Sequence, residues 1–299
     1  MKFLVEFVRF SRLHTVVGTS LSIVALYLIA LSYSDLGGLQ QFGFLLLTLV
    51  SCLGANIYIV GLNQITDVEI DRINKPYLPL ASGAFTLQTA YLLVGFSVLL
   101  SLALAFYTGQ YLLWTVLLSL ALGTAYSLPP VRLKRFHFWA AFCIIAVRGL
   151  IVNILLFLNF HSNLNGQHGL PPLILLLTGC IFVYSIIIAW FKDLPDTEGD
   201  ERYEIRTLSI KWGRQSVFRV GVILLSGLYI LLMAAPFLFE LSVANFAFSL
   251  AHLLSFVLLW IANKRLDLED QSSIRKYYQF IWILFFMEYI VFALTSLLN

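Results

Sequence analysis

FGFLLLTLVSCLGANIYIVGLNQITDVEIDR, residues 42–72, joins a long apolar run to a tight cluster of acids. Residues 42–62 carry no charge and match the ~20 residues that cross a hydrocarbon core as one helix. Inside lipid the backbone must satisfy its own hydrogen bonds, which makes helix the economical reading of such a run. Its end then turns acidic at Asp67, Glu69 and Asp71. The same pattern returns at 171–191, an apolar run that ends in KDLPDTEGD at 192–200. Eight of the sixteen Asp and Glu in the chain fall within 67–71 and 193–201, so the two clusters call for a reason.

Working outward, nine runs are long and apolar enough to span: 15–34, 42–62, 86–107, 111–128, 138–160, 171–191, 217–239, 243–262 and 278–298. The 299 residues are 60% hydrophobic and 12% charged. A soluble domain carries roughly 25% charge, so the apolar content is a demand of the solvent and not an oversized core. Ten-residue stretches that alternate polar and apolar are absent, which argues against a membrane β-barrel. The expected fold class is an all-α membrane protein of nine transmembrane helices. No linker or low-complexity stretch divides it, so residues 1–299 read as a single transmembrane domain. Each acidic cluster follows an even-numbered span, the second or the sixth. Two four-helix repeats plus a ninth helix, around a central cavity, is the simplest organisation, and membrane proteins often place a ligand site between such repeats.

The basic residues give the topology. Eighteen of the nineteen Lys and Arg precede the first span or lie in or at the edges of the loops 2–3, 4–5, 6–7 and 8–9. The remaining one, Arg148, is inside the fifth span. The positive-inside rule then places the N-terminus and both acidic clusters at the cytoplasmic face, with the C-terminus opposite. Both clusters therefore share one face and can serve one site. Cys52, Cys143 and Cys180 all lie in apolar runs, an odd number without CxxC spacing, which excludes a disulfide framework or a zinc site. The first span is too long for a cleavable signal and no Ser- and Arg-rich transit extension precedes it, which points to a bacterial chain or a mature form. His161 and His168 read as part of a solvated loop on the far side. Nothing indicates a nucleic-acid or obligatory protein partner; the surroundings are membrane lipid.

Asn63, Asp67 and Asp71 are spaced i, i+4, i+8, which on a helix continuing from the second span puts them on one face. Two carboxylates one turn apart repel. A bound cation removes that cost, and oxygen ligands suit Mg2+, which takes one or two carboxylates plus phosphate oxygens. Asp196 and Asp200 repeat the spacing, with Asp193 three residues before. Arg72, Arg132, Lys134 and Lys192 flank the clusters, and cations interleaved with metal-holding carboxylates describe a diphosphate site. Arg148 is costly where it stands and is functional by default; Glu288 is the structural alternative as its partner.

NQITDVEID at 63–71, DLPDTEGD at 193–200 and nine apolar runs resemble the UbiA-type superfamily of membrane prenyltransferases, over essentially the whole chain. Within it, NQITDVEIDRINKPYLPLASG at 63–83, KDLPDTEGD and the opening RFSRLHT at 9–15 resemble the homogentisate prenyltransferases, cyanobacterial ones above all. That group usually has Pro between the Arg and the His, where this chain has Leu13. The stretch Asn74-Lys75-Pro76-Tyr77 departs from the Arg-rich segment typical of haem and 4-hydroxybenzoate prenyltransferases.

The resemblance implies Mg2+-dependent transfer of a prenyl group from an allylic diphosphate (phytyl or geranylgeranyl) to a small aromatic acceptor, with decarboxylation if that acceptor is homogentisate. It makes Asn63, Asp67, Asp71, Asp193, Asp196 and Asp200 the metal ligands. Asn63, Arg72, Arg132, Lys134 and Lys192 would meet the diphosphate. Tyr126, near the cytoplasmic mouth, is the candidate to face the allylic cation. Arg12, His14 and Arg148 are candidates for the acceptor's carboxylate. Rival readings are a different acceptor, chlorophyllide or a naphthoate, and a cation-binding transporter; the latter prefers carboxylates at mid-membrane, not at helix ends.

Overall fold

The computed structural model describes residues 2–34, 41–192, 194 and 211–299. Among them there is helix, turn and bend but no strand. The chain forms two compact units, residues 1–143 with 155–168, and residues 144–154 with 169–299.

The first unit opens with α1 (Lys2–Phe10) and α2 (Leu13–Ser32). Then come α3 (Phe42–Thr66), the short α4 (Val68–Asn74), α5 (Leu87–Thr108) and α6 (Gln110–Ser127). A single 3-10 turn, Leu133–Arg135, leads to α7 (His137–Ile145), which continues through a π-helical stretch Ala146–Leu156 into α8 (Phe157–Asn165). The second unit takes residues 144–154 of that continuous helix together with α9 (Pro172–Phe191), α10 (Arg214–Leu238), α11 (Asn245–Arg265) and α12 (Gln271–Leu297).

Eight of these helices are long and apolar enough to cross a membrane: α2, α3, α5, the continuous Phe138–Asn165, and α9 to α12. The span expected at 111–128 is α6, a helix of 18 residues. Gln110 and Tyr111 at one end and Thr124 to Ser127 at the other leave it the least apolar of the nine. The last helix starts seven residues before the expected 278, because Asp270 caps it by accepting from the backbone N–H of Ser272 and Ser273. His161 is corrected from solvated loop to helix: it is 2% exposed, takes a 2.8 Å hydrogen bond with Asn165 and stacks on Phe157. α1 was not read from the sequence at all. Its charged residues Glu6 and Arg9 pair at 3.0 Å, and Phe10, one turn on from the buried Glu6, is fully buried.

α3 is the centre of the first unit, packed against α2, α5 and α6. Lipid offers no hydrophobic drive between helices, so close backbone approach and hydrogen bonds do the joining. A Cβ at Gly54 would come within 2.8 Å of the Ser97 carbonyl oxygen of α5, and one at Gly61 within 2.6 Å of Val94 and 2.7 Å of Phe10. Ser51 donates to the Ser101 carbonyl at 2.9 Å, and Asn159 of α8 donates to Thr48 at 3.1 Å. The buried Gln64 amide donates to the carbonyl of Phe10 at 2.7 Å and so fastens the end of α1 to the end of α3. These contacts fix where α3 ends, one residue before Asp67.

The second unit is held differently. Its apolar core, with Phe191, Phe248 and Phe292 fully buried, encloses one acid, Glu288, which is 1% exposed. Tyr229 donates to Glu288 at 3.1 Å, Cys180 donates at 3.7 Å, and His252 Nε2 stands 3.1 Å away. Tyr184 meets the Tyr229 hydroxyl at 2.5 Å. Four helices, α9 to α12, thus converge on one carboxylate.

Candidate active site

The helix that carries the first acidic cluster breaks at Asp67. The expected uninterrupted helix through Asp71 is therefore corrected to two pieces, with Asp67 (φ −120°, ψ 14°) as the joint between α3 and α4. One-turn spacing survives the break: Asn63 donates to Asp67 Oδ2 at 3.2 Å, and the Asp71 N–H donates to the Asp67 carbonyl at 2.7 Å.

Two cations from the loop after α6 grip the Asp67 carboxylate. Arg132 donates to Oδ1 at 2.9 Å and Lys134 to Oδ2 at 2.6 Å. Lys134 also donates to Thr66 at 3.2 Å. The pairs are well shielded, with side chains 14% exposed for Asp67, 12% for Lys134 and 26% for Arg132. Arg12 donates to Asn63 Oδ1 at 3.2 Å.

Arg12 (φ 53°) and Arg132 (φ 36°) are also the two non-glycine residues with left-handed backbone among the described residues. That conformation costs an L-residue about 1–2 kcal/mol and persists only where the surroundings insist on it. Both strained arginines aim at the same acidic cluster.

Asp71 is buried at 5% exposure, and its Oδ2 has no hydrogen-bond partner. Burial pushes its carboxyl up, and Lys75 and Arg12 pull it back down. Burial likewise pushes the Lys134 ammonium down, opposed by its hydrogen bond to Asp67. Arg132 Nε and Ser127 Oγ are buried without partners as well. Buried polar atoms in native proteins are nearly always satisfied. An orphaned carboxylate oxygen and an orphaned guanidinium nitrogen in one cluster fit a hard cation and an anion. No group of three His, Cys, Asp or Glu gathers among the described residues. An amide and two carboxylates remain, which suits Mg2+ completed by phosphate oxygens. A cleft of about 680 Å3 opens beside Asp67, lined on its polar side by Thr66, Glu69, Arg72, Thr86 and Arg132 and walled by apolar residues that include Leu80 and Phe85.

Tyr126, half-buried one residue before the end of α6, is within electrostatic reach of Arg12 and Asp67. Arg72 instead pairs with Glu69 at 2.8 Å on an exposed surface. His14 lies in the first turn of α2, and Lys192 is exposed at the end of α9. Arg148 is in the π-helical stretch, stacked on Trp282 at 4.6 Å, and Glu288, its alternative partner, is engaged by His252. Asp193, Asp196 and Asp200 lie outside the described residues. The sequence reading passed over Thr66, Gln64 and Ser127. Gln64 and Thr66 stand inside the quoted motif; their position between Asn63 and Asp67 was the available signal.

The chain is 45% identical over 296 residues to the homogentisate phytyltransferase of Synechocystis sp., covering 97% of this chain and 94% of that one. It is 41% identical over 295 residues to Arabidopsis thaliana homogentisate phytyltransferase 1, covering 95% and 74%. In fold it resembles a solved digeranylgeranylglyceryl phosphate synthase, with a TM-score of 0.71 at 21% identity over 100% of both chains. It also resembles a UbiA homologue from Archaeoglobus fulgidus bound to GPP and Mg2+, with a TM-score of 0.62 at 20% identity over 96% and 99%. Residues 20–284 match the UbiA prenyltransferase family. This multi-pass membrane chain belongs to the UbiA prenyltransferase family.

Proposed function

We propose that this chain transfers a prenyl group, phytyl foremost, from its allylic diphosphate to homogentisate, with loss of CO2, in tocopherol and prenylquinone synthesis. The observation that carries the site is the grip of Arg132 and Lys134 on Asp67, with Asn63 and the orphaned Asp71 oxygen beside it. Similarity to the Synechocystis and Arabidopsis enzymes supports the acceptor.

Asn63, Asp67 and Asp71 would hold one Mg2+ and Asp196 and Asp200 another, Asp193 adding a further carboxylate. The metal supplies Lewis-acid charge that steadies the departing diphosphate. Arg132 and Lys134 have the donors to take phosphate oxygens. Donors turned from Asp67 to the diphosphate would leave the Asp67 oxygens free to hold a cation. The allylic C–O bond breaks and the diphosphate leaves with the electron pair. Tyr126 offers a ring face to the allylic cation, and apolar walls keep water away. The ring carbon of the acceptor supplies the electron pair of the new C–C bond and loses its proton. Loss of CO2 from the side chain leaves a carbanion equivalent that takes up a proton, so the protons balance.

We place the N-terminus and the site on the cytoplasmic face of a cyanobacterial membrane, with the C-terminus opposite, from the one-sided Lys and Arg. Residues 1–299 are taken to work as one catalytic domain. The test is the purified chain in detergent with phytyl diphosphate, homogentisate and Mg2+. Prenylated, decarboxylated quinol is expected, and none with EDTA. Product only with chlorophyllide or a naphthoate would overturn the acceptor. No diphosphate release with any prenyl donor would overturn the enzyme and favour a cation transporter.

A further inference from the structure

Arg148 stands inside the Phe138–Asn165 span on the π-helical stretch Ala146–Leu156, a backbone form frequent at functional sites. Its guanidinium carbon lies 4.6 Å from the centre of the Trp282 ring and 5.8 Å from that of Phe285. The aromatic faces attract the cation without neutralising it. Glu288 accepts from Tyr229 and Cys180 and faces His252. Asn153 donates to the backbone carbonyls of Arg148 and Gly149 at 3.1 Å, and its own carbonyl accepts from Tyr289 at 2.7 Å. No carboxylate and no hydrogen-bond acceptor among the described residues meets the Arg148 N–H groups. The half-buried side chain keeps its forked donors open.

The stretch that carries it is fixed. A Cβ at Gly149 would come within 3.3 Å of the Phe182 backbone of α9, so these two helices are already in close contact. A rigid intramembrane guanidinium, steadied on one face by an indole and meeting no anion among the described residues, is a receptor for a planar anion.

We propose that Arg148, aimed by Trp282, binds the carboxylate of the aromatic acceptor and selects acceptors that carry one. This rests on the reading of the chain as an aromatic prenyltransferase. The diphosphate, the other anion of that reaction, has its cations in Arg132 and Lys134. The forked guanidinium matches a carboxylate with two parallel hydrogen bonds. A carboxylate-selecting residue so placed separates arylacetates from uncharged quinols of the same ring.

The experiment compares wild type, Arg148→Gln and Arg148→Lys in detergent. It measures KM for homogentisate, KM for phytyl diphosphate, calorimetric binding of homogentisate alone, and use of homogentisate methyl ester. Arg148→Gln is expected to raise both KM and Kd for homogentisate about 10- to 100-fold, the weight of a charge-assisted hydrogen bond. The KM for phytyl diphosphate and the turnover of the ester should stay within about twofold of wild type. Arg148→Lys, which keeps the charge and loses the fork, should fall between. Homogentisate binding within about twofold of wild type in Arg148→Gln, or an equal loss with the ester, overturns the inference. If Arg148→Gln does not fold, Arg148→Lys decides: an unchanged ratio of homogentisate to ester use overturns it. Wild type that binds homogentisate and forms no product sinks the proposed reaction while this site stands. Product formed with normal acceptor affinity in Arg148→Gln does the reverse.

Discussion

Replacing Glu288 by Gln should destabilise the second unit by roughly 3 kcal/mol, the lower end of the cost of breaking a buried ion pair. The structure gives the reason. Glu288 and His252 are each 1% exposed in their side chains and stand 3.1 Å apart. His252 Nδ1 lies 2.7 Å from the Phe248 carbonyl, which accepts only, so that nitrogen carries a proton. Nε2, on the other side of the ring, meets the Glu288 carboxylate. The Cys180 thiol and the Tyr229 hydroxyl also donate to the carboxylate. An amide at 288 is isosteric, yet its NH2 group must face either the Tyr229 oxygen or the side where His252 and Cys180 converge. It loses one charge-assisted bond and one of the three acceptor contacts. About 3 kcal/mol corresponds to roughly 6 to 12 °C in Tm for a unit of 150–250 residues. The assay is thermal unfolding in a mild detergent at fixed protein concentration. A companion, Glu288→Leu with His252→Leu, removes both partners and should recover part of the loss, since well-packed apolar pairs often replace buried ion pairs without penalty. A Glu288→Gln protein melting within about 1 °C of wild type would refute the stabilising role of this carboxylate, as would a double variant less stable than the sum of its singles.

Three further outcomes are expected. Asp67→Asn should lower turnover by about 10^3-fold or more while the chain still inserts, and near-normal turnover in membranes would remove that carboxylate from the site. Lys134→Ala should cost about 10^2- to 10^3-fold in kcat, whereas Arg72→Ala, on an exposed pair worth ~0.5 kcal/mol, should cost less than about threefold; equal effects would show that the sequence-based grouping of these two cations is the better one. Gly61→Val should destabilise by about 2–3 kcal/mol, because its side chain collides with Val94 and Phe10, read as reduced yield and a lower Tm in detergent; an unchanged Tm would mean the α1 and α5 contacts yield freely.

Much of the fold was legible because a membrane reduces the problem to length and charge. A span needs a run of apolar residues, and one-sided cations set the topology. That is why the runs at 42–62 and 171–191 are helices to within a few residues. α1 escaped because a 9-residue amphipathic helix is too short for that signal. In the site, the i, i+4 spacing found Asn63, Asp67 and Asp71, since spacing encodes one helical turn. It missed the break at Asp67, for a change in two dihedral angles leaves no mark in composition. Spacing also cannot separate Arg132 and Lys134, which reach Asp67 from 65 and 67 residues away, from Arg72 close by, which turns to Glu69. Loop trajectory decided that, and only coordinates carry it.

The grip on Asp67 has a consequence for how this protein responds to heat. Arg132 and Lys134 fasten the loop after α6 to the end of α3 through one carboxylate. An anion that offers these cations oxygens of its own exchanges one fastening for another and adds its binding energy to the folded chain. By linkage, an anion at a hundred times its Kd contributes about 2.7 kcal/mol. The loop then acts as a built-in thermometer of occupancy, and inorganic diphosphate with Mg2+ alone should raise the melting temperature of the first unit before any prenyl chain is present.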